Sequence, residues 1–175
     1  MSDMTIGMSE LVNIGKISME MAAASGQFFF PKIVLGRTDS NEVEIGQYEG
    51  EWENFDILLR TMAINAPIDW IAHTADTFQF LMDKDKPEDA MMWSLIEEGK
   101  VVIKDLFEAD DPRAVEALTI IKIDRYGFTD SAVIAYDWSD SGKVIWSQVI
   151  TDAQPIEGKY IESMRKAIQL SLAMV

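Results

Sequence analysis

The stretch that decides the fold is residues 114–149, which read AVEALTIIKIDRYGFTDSAVIAYDWSDSGKVIWSQV. Three runs in it, at 114–124, 131–137 and 143–149, are rich in β-branched and aromatic residues, which favour strands. Short polar turns that contain glycine separate the runs, at 125–127 and 139–142. Strands joined by such short turns pair with their chain neighbours in antiparallel fashion. The stretch therefore predicts a three-strand antiparallel meander.

The end of the chain predicts an amphipathic helix over residues 160–175. Apolar side chains recur there every three or four residues, which places them on one face of a helix. They are Ile161, Met164, Ile168, Leu172 and Val175. Such a face has to be buried, and the inner face of the meander is the obvious apolar surface to bury it. We expect the helix to pack there.

A first helix is predicted over residues 8–24. Ser9 can act as its N-cap, and Gly26 suits the position just after its C-terminal end. Gly15 weakens the helix, because glycine has a low helix propensity. The expected apolar face consists of Leu11, Ile14, Ile17 and Met21. This helix either belongs to the main domain or forms an arm attached to it.

Two short strands are expected between the first helix and the second. Residues 28–35 are apolar and rich in strand-forming types, but Pro31 has no amide hydrogen to give to a neighbouring strand. Its presence favours an edge position or a bulge. The turn-forming residues 38–41 follow, and residues 42–48 then alternate polar and apolar side chains as a short strand does.

The middle of the chain predicts a helix, a strand and a short helix. Residues 51–66 carry an apolar stripe at helical spacing and end before Pro67. Residues 69–82 fit either a helix or a strand, and their Thr, Trp, Ile and Phe content favours the strand. Residues 87–98 begin with proline and precede a glycine, which is typical of a short helix. Because helices and strands do not alternate regularly, the sequence predicts an α+β fold with helices packed on an antiparallel sheet that includes the C-terminal meander.

Size and composition fit a single domain over residues 1–175. The chain is 48% hydrophobic and includes eight Phe and five Trp, enough for a core that needs no disulfide or metal. It has no cysteine, so disulfides, thiolate nucleophiles and cysteine-ligated metals are excluded. No basic leader opens it, and no apolar run reaches the roughly 20 residues that span a bilayer. We expect a cytoplasmic protein.

Charge is the most unusual property of the chain. It has 30 Asp and Glu against 15 Lys and Arg, for a formal net charge of −15. Nucleic acids and anionic membranes repel such a chain unless it keeps a basic patch. Its basic residues are scattered, so direct binding to nucleic acid or to a membrane is disfavoured. Two interpretations remain, solubility and attraction to a basic protein surface.

The acids are densest in residues 39–56, hereafter the acidic segment. Seven carboxylates lie there with no Lys or Arg between them: Asp39, Glu42, Glu44, Glu49, Glu51, Glu53 and Asp56. Glu51 and Glu53 open a predicted helix, where the helix dipole favours anions. The first four have no such local reason, and Tyr48 is an amphipathic aromatic of the kind that anchors interfaces. We therefore predict a partner-binding surface formed by Asp39, Glu42, Glu44, Tyr48 and Glu49.

Signatures of catalysis are sparse. His73 is the only histidine, and on a strand its side chain and that of Asp76 point to opposite faces, so the two do not form a metal site together. No serine nucleophile elbow, phosphate-binding loop or dinucleotide fingerprint occurs. The sequence predicts no catalytic residue, metal ligand or cofactor. His73 is interpreted as a lone hydrogen-bonded histidine at the sheet surface.

Clustered carboxylates leave an enzyme open as an alternative, because paired acids hold divalent cations in hydrolases. The candidate groups are Asp83 with Asp85, Glu88 and Asp89, then Glu97 with Glu98, and Glu108 with Asp110 and Asp111. Their interleaved lysines and turn-forming neighbours are more typical of a solvated surface.

The sequence best predicts a non-catalytic acidic binding protein that engages a basic protein partner, of the inhibitor, immunity, nucleic-acid-mimic or assembly-factor type. A metal-dependent hydrolase that uses a carboxylate cluster is the first alternative. A structural subunit of a homo-oligomer or a larger assembly is the second. A contiguous acidic surface would favour binding, whereas three or more carboxylates converging in a cleft would favour the hydrolase.

Overall fold

A computed structural model describes residues 6–38, 40, 42–150 and 159–174 of the chain. Five helices and six strands lie in that part. In chain order they are α1 (Met8–Ala24), β1 (Lys32–Arg37), β2 (Val43–Gln47), α2 (Trp52–Ala63), β3 (Ile68–Phe80), α3 (Pro87–Glu97), α4 (Ile103–Glu108), β4 (Ala114–Asp124), β5 (Thr129–Trp138), β6 (Val144–Ile150) and α5 (Lys159–Ala173).

The six strands form one antiparallel sheet in the order β2-β1-β3-β4-β5-β6. The predicted meander is confirmed, since β4 pairs with β5 and β5 pairs with β6. Leu118 lies opposite Ile134, and Tyr136 lies opposite Trp146. Helices pack on the sheet, so the α+β class is confirmed as well.

The ambiguous residues 69–82 are a strand, as predicted. β3 has 13 residues and lies between β1 and β4. Seven of its first eight residues are buried, which means that both of its faces are covered. The polar residues His73 and Thr74 are buried together with apolar ones, so the order of apolar residues along the strand shows no clear period.

The first strand begins later than predicted, at Lys32 instead of residue 28. Pro31, just before it, cannot donate a hydrogen bond, but its carbonyl oxygen accepts one of 3.2 Å from the Tyr48 amide. The expected edge position is also wrong, because β1 lies between β2 and β3, and the register shift in β1 lies at Gly36 and Arg37 instead of at Pro31. The proline instead lies at the entry to the strand, where its missing N–H costs little.

Helices cover the two faces of the sheet. On the first, hereafter the α5 face, α2 and α5 enclose a core with side chains of β1, β3 and β4. On the second, hereafter the α1 face, α1 packs over β4 and β5. The core of the α5 face is centred on Phe55, Leu59, Ile71, Ile123, Met164 and Ile168, and that of the α1 face on Leu11, Met19, Ala72, Leu118, Ile120 and Ile134.

The C-terminal helix packs on the middle of the sheet instead of along the meander. α5 lies beside α2 over β3 and β4, so β4 is the meander strand whose side chains join its core, through Ile121 and Ile123. Ile161, Met164 and Ile168 are buried as predicted, but Leu172 is 39% exposed and Val175 lies outside the described residues. The two central strands offer the apolar area that two neighbouring helices share.

α1 buries only part of the predicted face: Leu11 is buried and Ile14 is half-buried. Its buried residues are Leu11, Val12, Gly15 and Met19, whereas Ile17 and Met21 are exposed. Gly15 allows the close contact: a Cβ atom there would lie 2.9 Å from Leu118 Cδ2 and 3.3 Å from Thr74 Cγ2. A glycine that weakens the isolated helix therefore sets which side of it faces the sheet.

The ends of α1 follow the prediction in part. Gly26 has a φ of +64° just after the helix, a left-handed conformation that glycine adopts without strain. Gly7, and not Ser9, is the N-cap, and within the described residues no side-chain hydrogen bond caps the helix.

One helix was not predicted. α4 has six residues, and its Phe107 ring packs on Phe78 of β3 at a centroid distance of 5.1 Å. Fewer than two helical turns are too short to establish a periodic pattern in a sequence. Among the described residues no helix has both the length and the apolar character needed to cross a membrane.

Candidate functional site

The acidic segment runs along one edge of the sheet and into the start of α2. Edge strand β2 is hydrogen-bonded to β1 on its inner side. Glu42 precedes β2 and Glu49 follows it, and both are exposed. Glu51 and Glu53 are exposed at the start of α2, while Asp39 lies outside the described residues. The described part thus presents four exposed carboxylates around this edge.

Glu44 differs from these acids because it is paired with a buried arginine. Arg37 Nε lies 3.0 Å from Glu44 Oε1, and Arg37 Nη2 lies 2.9 Å from Oε2. The Arg37 side chain is only 5% exposed, and it also donates to the backbone carbonyl oxygens of Met62 and Ala66. Arg37 therefore joins β1 and β2 to the C-terminal end of α2. Glu44 is therefore the counter-ion of a buried arginine, a structural role that the sequence did not reveal.

We expect Glu44→Gln to destabilise the protein by about 1–3 kcal/mol, the usual value of a hydrogen bond to a charged group. The guanidinium of Arg37 would keep its two carbonyl partners but lose its counter-ion. Glu42→Gln removes the same charge from an exposed position and should change the stability by less than about 0.5 kcal/mol. Urea unfolding of both variants measures the difference. Equal stabilities would show that the ion pair contributes nothing.

Tyr48 lies in the core and not on the surface beside the exposed acids. Its hydroxyl oxygen is 2.6 Å from His73 Nε2, and its ring meets Phe55 edge to face at 5.6 Å. The side chain is buried, because residue 48 points inward from the end of β2 toward α2. The prediction of Tyr48 as a partner contact does not fit this placement, since an interface anchor has to be accessible.

His73 is also buried, and not at the sheet surface as expected. It is 7% exposed, and the rings of Tyr48 and Tyr160 lie nearly parallel to its ring at centroid distances of 5.8 and 5.2 Å. The Phe55 ring meets its edge at 4.9 Å. α2 and α5 cover this part of β3, which strand periodicity alone does not reveal. The expected separation from Asp76 is confirmed, because Asp76 contacts Tyr136 on the α1 face.

Burial sets the protonation state of this pair. It lowers the pKa of His73 to about 4 and raises the pKa of Tyr48 above its usual value, with a smaller contribution from Tyr160. Both groups are therefore neutral at pH 7, and the Tyr48 hydroxyl can donate to an unprotonated Nε2. With Nε2 engaged in the core, this histidine serves to position the aromatic rings around it.

The low pKa of His73 makes stability depend on pH. An unfolded histidine has a pKa of about 6.5. Because the folded value is lower, the contribution is fully present above pH 6.5 and is lost as the pH falls toward 4. The difference in unfolding free energy between wild type and His73→Gln should fall by about 3 kcal/mol between pH 7 and 4. Carboxylate titration is common to both proteins and cancels. A constant difference would contradict the low pKa.

Two of the carboxylate groups considered for catalysis have structural partners. Arg113 Nη1 donates to Asp89 Oδ1 at 2.8 Å, and Arg113 Nη2 donates to Asp111 Oδ2 at 2.8 Å. These bonds tie α3 to the start of β4 and hold the pKa of Asp111 at about 2. Among the residues that the structure describes, no three His, Asp or Glu side chains are grouped so that they could hold a metal ion.

Two features of interest were not predicted from the sequence. The role of Arg37 was hidden, although an arginine that ends an apolar strand is a signal for a buried charge that needs a partner. A cavity beside Asp76, Tyr136 and Trp138 was also missed. The aromatic residues at 136, 138 and 146 suit inward positions of paired strands, but only the sheet register brings them next to an acid of β3.

Comparisons with known proteins return no match: no family model, no curated protein and no solved structure is similar to this chain.

Proposed function

We propose that this protein is a non-catalytic binding protein whose acidic edge engages a basic protein partner. The observation that carries the proposal is the set of exposed carboxylates around β2 and the start of α2, in a chain with a net charge of −15. A surface of one charge sign speeds the encounter with an oppositely charged partner and rejects partners of the same sign.

The edge also has the composition of an interface. Ile45 is 57% exposed in the middle of β2. The charged residue Glu42 precedes that strand in the chain, and Glu49 follows it. An apolar centre with a polar rim is the usual arrangement of a protein–protein contact. The outer side of an edge strand also offers backbone groups that a partner strand can pair with.

The histidine and two of the carboxylates that a hydrolase could use are bonded to other residues of the fold, which supports a binding function over hydrolysis. His73 is bonded to Tyr48 in the core, and Asp89 and Asp111 are bonded to Arg113. Groups held in this way organise the fold, whereas Glu42 and Glu49 have no ion-pair partner within 4.0 Å among the described residues. The exposed acids are the ones available to a partner.

The test is affinity capture from the native host, followed by kinetics with the identified partner. The triple variant D39N/E42Q/E49Q should associate with that partner at least about tenfold more slowly and with a weaker salt dependence. Glu44 is kept, so the Arg37 ion pair and the stability of the fold are preserved.

The matched control is D85N/E97Q/D140N. It removes three exposed acids that lie outside the acidic segment. It changes the net charge by the same amount and should associate like wild type if the position of the charge matters. Equal association rates for wild type and both variants would overturn the proposal, as would a partner without a basic surface.

A further inference from the structure

A small cavity opens on the α1 face between the C-terminal end of α1, β3 and β5. Its walls include Phe28, Phe29, Asp76, Tyr136 and Trp138, and we call it the aromatic cavity. Its volume is about 150 Å³. A water molecule takes up about 30 Å³ in the liquid, so the cavity has room for roughly five heavy atoms. That is the size of an ammonium or guanidinium group with its last methylenes.

Asp76 lines this cavity, Glu116 accepts a hydrogen bond from its wall residue Trp138, and neither carboxylate has a lysine or arginine partner. Asp76 Oδ1 accepts a hydrogen bond of 2.7 Å from the Tyr136 hydroxyl, and Glu116 Oε2 accepts one of 3.2 Å from Trp138 Nε1. All 15 Lys and Arg residues lie in the described part of the chain, and none of them is within 4.0 Å of either carboxylate.

The environment of Asp76 penalises this unpaired charge. Asp76 stays accessible to solvent, but partial enclosure raises its pKa and the nearby charge of Glu116 raises it further, while the hydrogen bond from Tyr136 opposes the shift. The attraction of a cation placed beside Asp76 would offset both unfavourable effects, because an opposite charge favours the ionised carboxylate. The charge of the cavity therefore favours a positively charged occupant.

The aromatic walls favour the same kind of occupant. The rings of Tyr136 and Trp138 meet edge to face at 5.7 Å, and Trp138 is 46% exposed. Phe28 is 86% exposed at the rim, so its ring is accessible to a ligand. Aromatic ring faces attract alkylammonium and guanidinium groups, and they also cover the methylenes attached to them.

We infer that the aromatic cavity binds one lysine or arginine side chain of a basic protein partner, with Asp76 as its counter-ion and Phe28 and Trp138 against its alkyl stem. This inference rests on the proposed function and names a contact within it. A neighbouring groove shares Gln27, Phe28 and Phe29 with the cavity and reaches Gln47 of β2. The cavity and the acidic edge are thus connected along the surface.

The inference is tested with small probes in place of the partner. N-acetyl-lysine amide and N-acetyl-arginine amide should shift the Trp138 indole NMR signal saturably, with dissociation constants of the order of millimolar. The uncharged analogues N-acetyl-norleucine amide and N-acetyl-citrulline amide should not. Absence of a saturable shift with the charged probes would overturn the inference. So would equal binding of the uncharged analogues, or binding of tetramethylammonium without binding of the two charged probes.

The variants Asp76→Asn and Phe28→Ala should each weaken binding of the charged probes at least about tenfold. The introduced amide oxygen would still accept the bond from Tyr136, and the exposed Phe28 contributes little to the core, so both variants should keep the parent fold. Asp137→Asn, one residue from Trp138, removes the same charge from an exposed position and should bind the probes like wild type. Wild-type binding by Asp76→Asn would overturn the role of Asp76 as counter-ion.

The two proposals fail in distinguishable ways. D39N/E42Q/E49Q leaves the cavity intact and should bind the lysine probe like wild type, whatever it does to the captured partner. One outcome is that the probe binds while the Asp76→Asn variant still binds the captured partner with the wild-type rate and affinity. In that case the cavity inference is wrong and the proposed binding function stands. If no basic partner exists, the proposed function fails whatever the probes do.

Discussion

The Ile168→Asp variant should be unfolded at room temperature. Ile168 lies on the buried side of α5, in the core that this helix shares with α2 and the sheet. A carboxylate there would have no cation or water to pair with, which costs several kcal/mol in addition to the lost apolar contact. A protein of this size is typically stable by about 5–15 kcal/mol, so one such change removes much of the total. Circular dichroism and amide NMR spectra measure the loss.

Gln169→Asp is the matched control on the same helix. Residue 169 is exposed, so its carboxylate would stay hydrated, and we expect a loss of less than about 1 kcal/mol. An Ile168→Asp protein that melts like the parent would show that α5 does not bury this face.

Phe55→Ala should cost about 3–5 kcal/mol, the usual effect of removing a large aromatic side chain from a core. Phe55 is completely buried, and the rings of Trp52, Tyr48, His73 and Tyr160 lie around it at centroid distances of 4.9–5.6 Å. No single neighbour can fill the space that would be left. Chemical unfolding monitored by tryptophan fluorescence gives the free energy.

A second measurement on Phe55→Ala reports on His73. If water enters the enlarged core, the pKa of His73 should rise from about 4 toward its ordinary value near 6.5. The imidazole proton shifts in NMR follow this titration. Ile57→Ala, at an exposed position of the same helix, should change the stability by less than about 0.5 kcal/mol and leave the histidine unchanged. A Phe55→Ala protein as stable as Ile57→Ala would contradict the structure of this core.

The strands and helices with strong local signals were predictable. Residues 114–124 were predicted as a strand, and β4 has those bounds. The turn glycine Gly127 has a φ of +88°, which a short hairpin turn uses and which other residues adopt with strain. In such segments side-chain type and backbone preference act over a few neighbouring residues, so the information is present in the local sequence.

The candidate site was predictable only in outline. The chain itself shows that residues 39–56 are acidic, and the described acids Glu42 and Glu49 are exposed as a binding surface requires. Glu44 and Tyr48 belong to the same run of residues, yet one holds Arg37 and the other holds His73. Their partners lie on other strands, at separations along the chain that no local pattern specifies.

The sequence by itself determined the fold class, the charge and every element except the short helix α4, because each depends on residue type and on spacing within about a dozen positions. Only the tertiary structure decided which side of α1 is buried, which strands α5 covers, and that His73 is neutral in the core. It also brought Asp76 of β3 next to Tyr136 of β5 at one cavity. These outcomes depend on strand register and on the volume left between packed helices, since burial and charge pairing arise between residues distant in the chain.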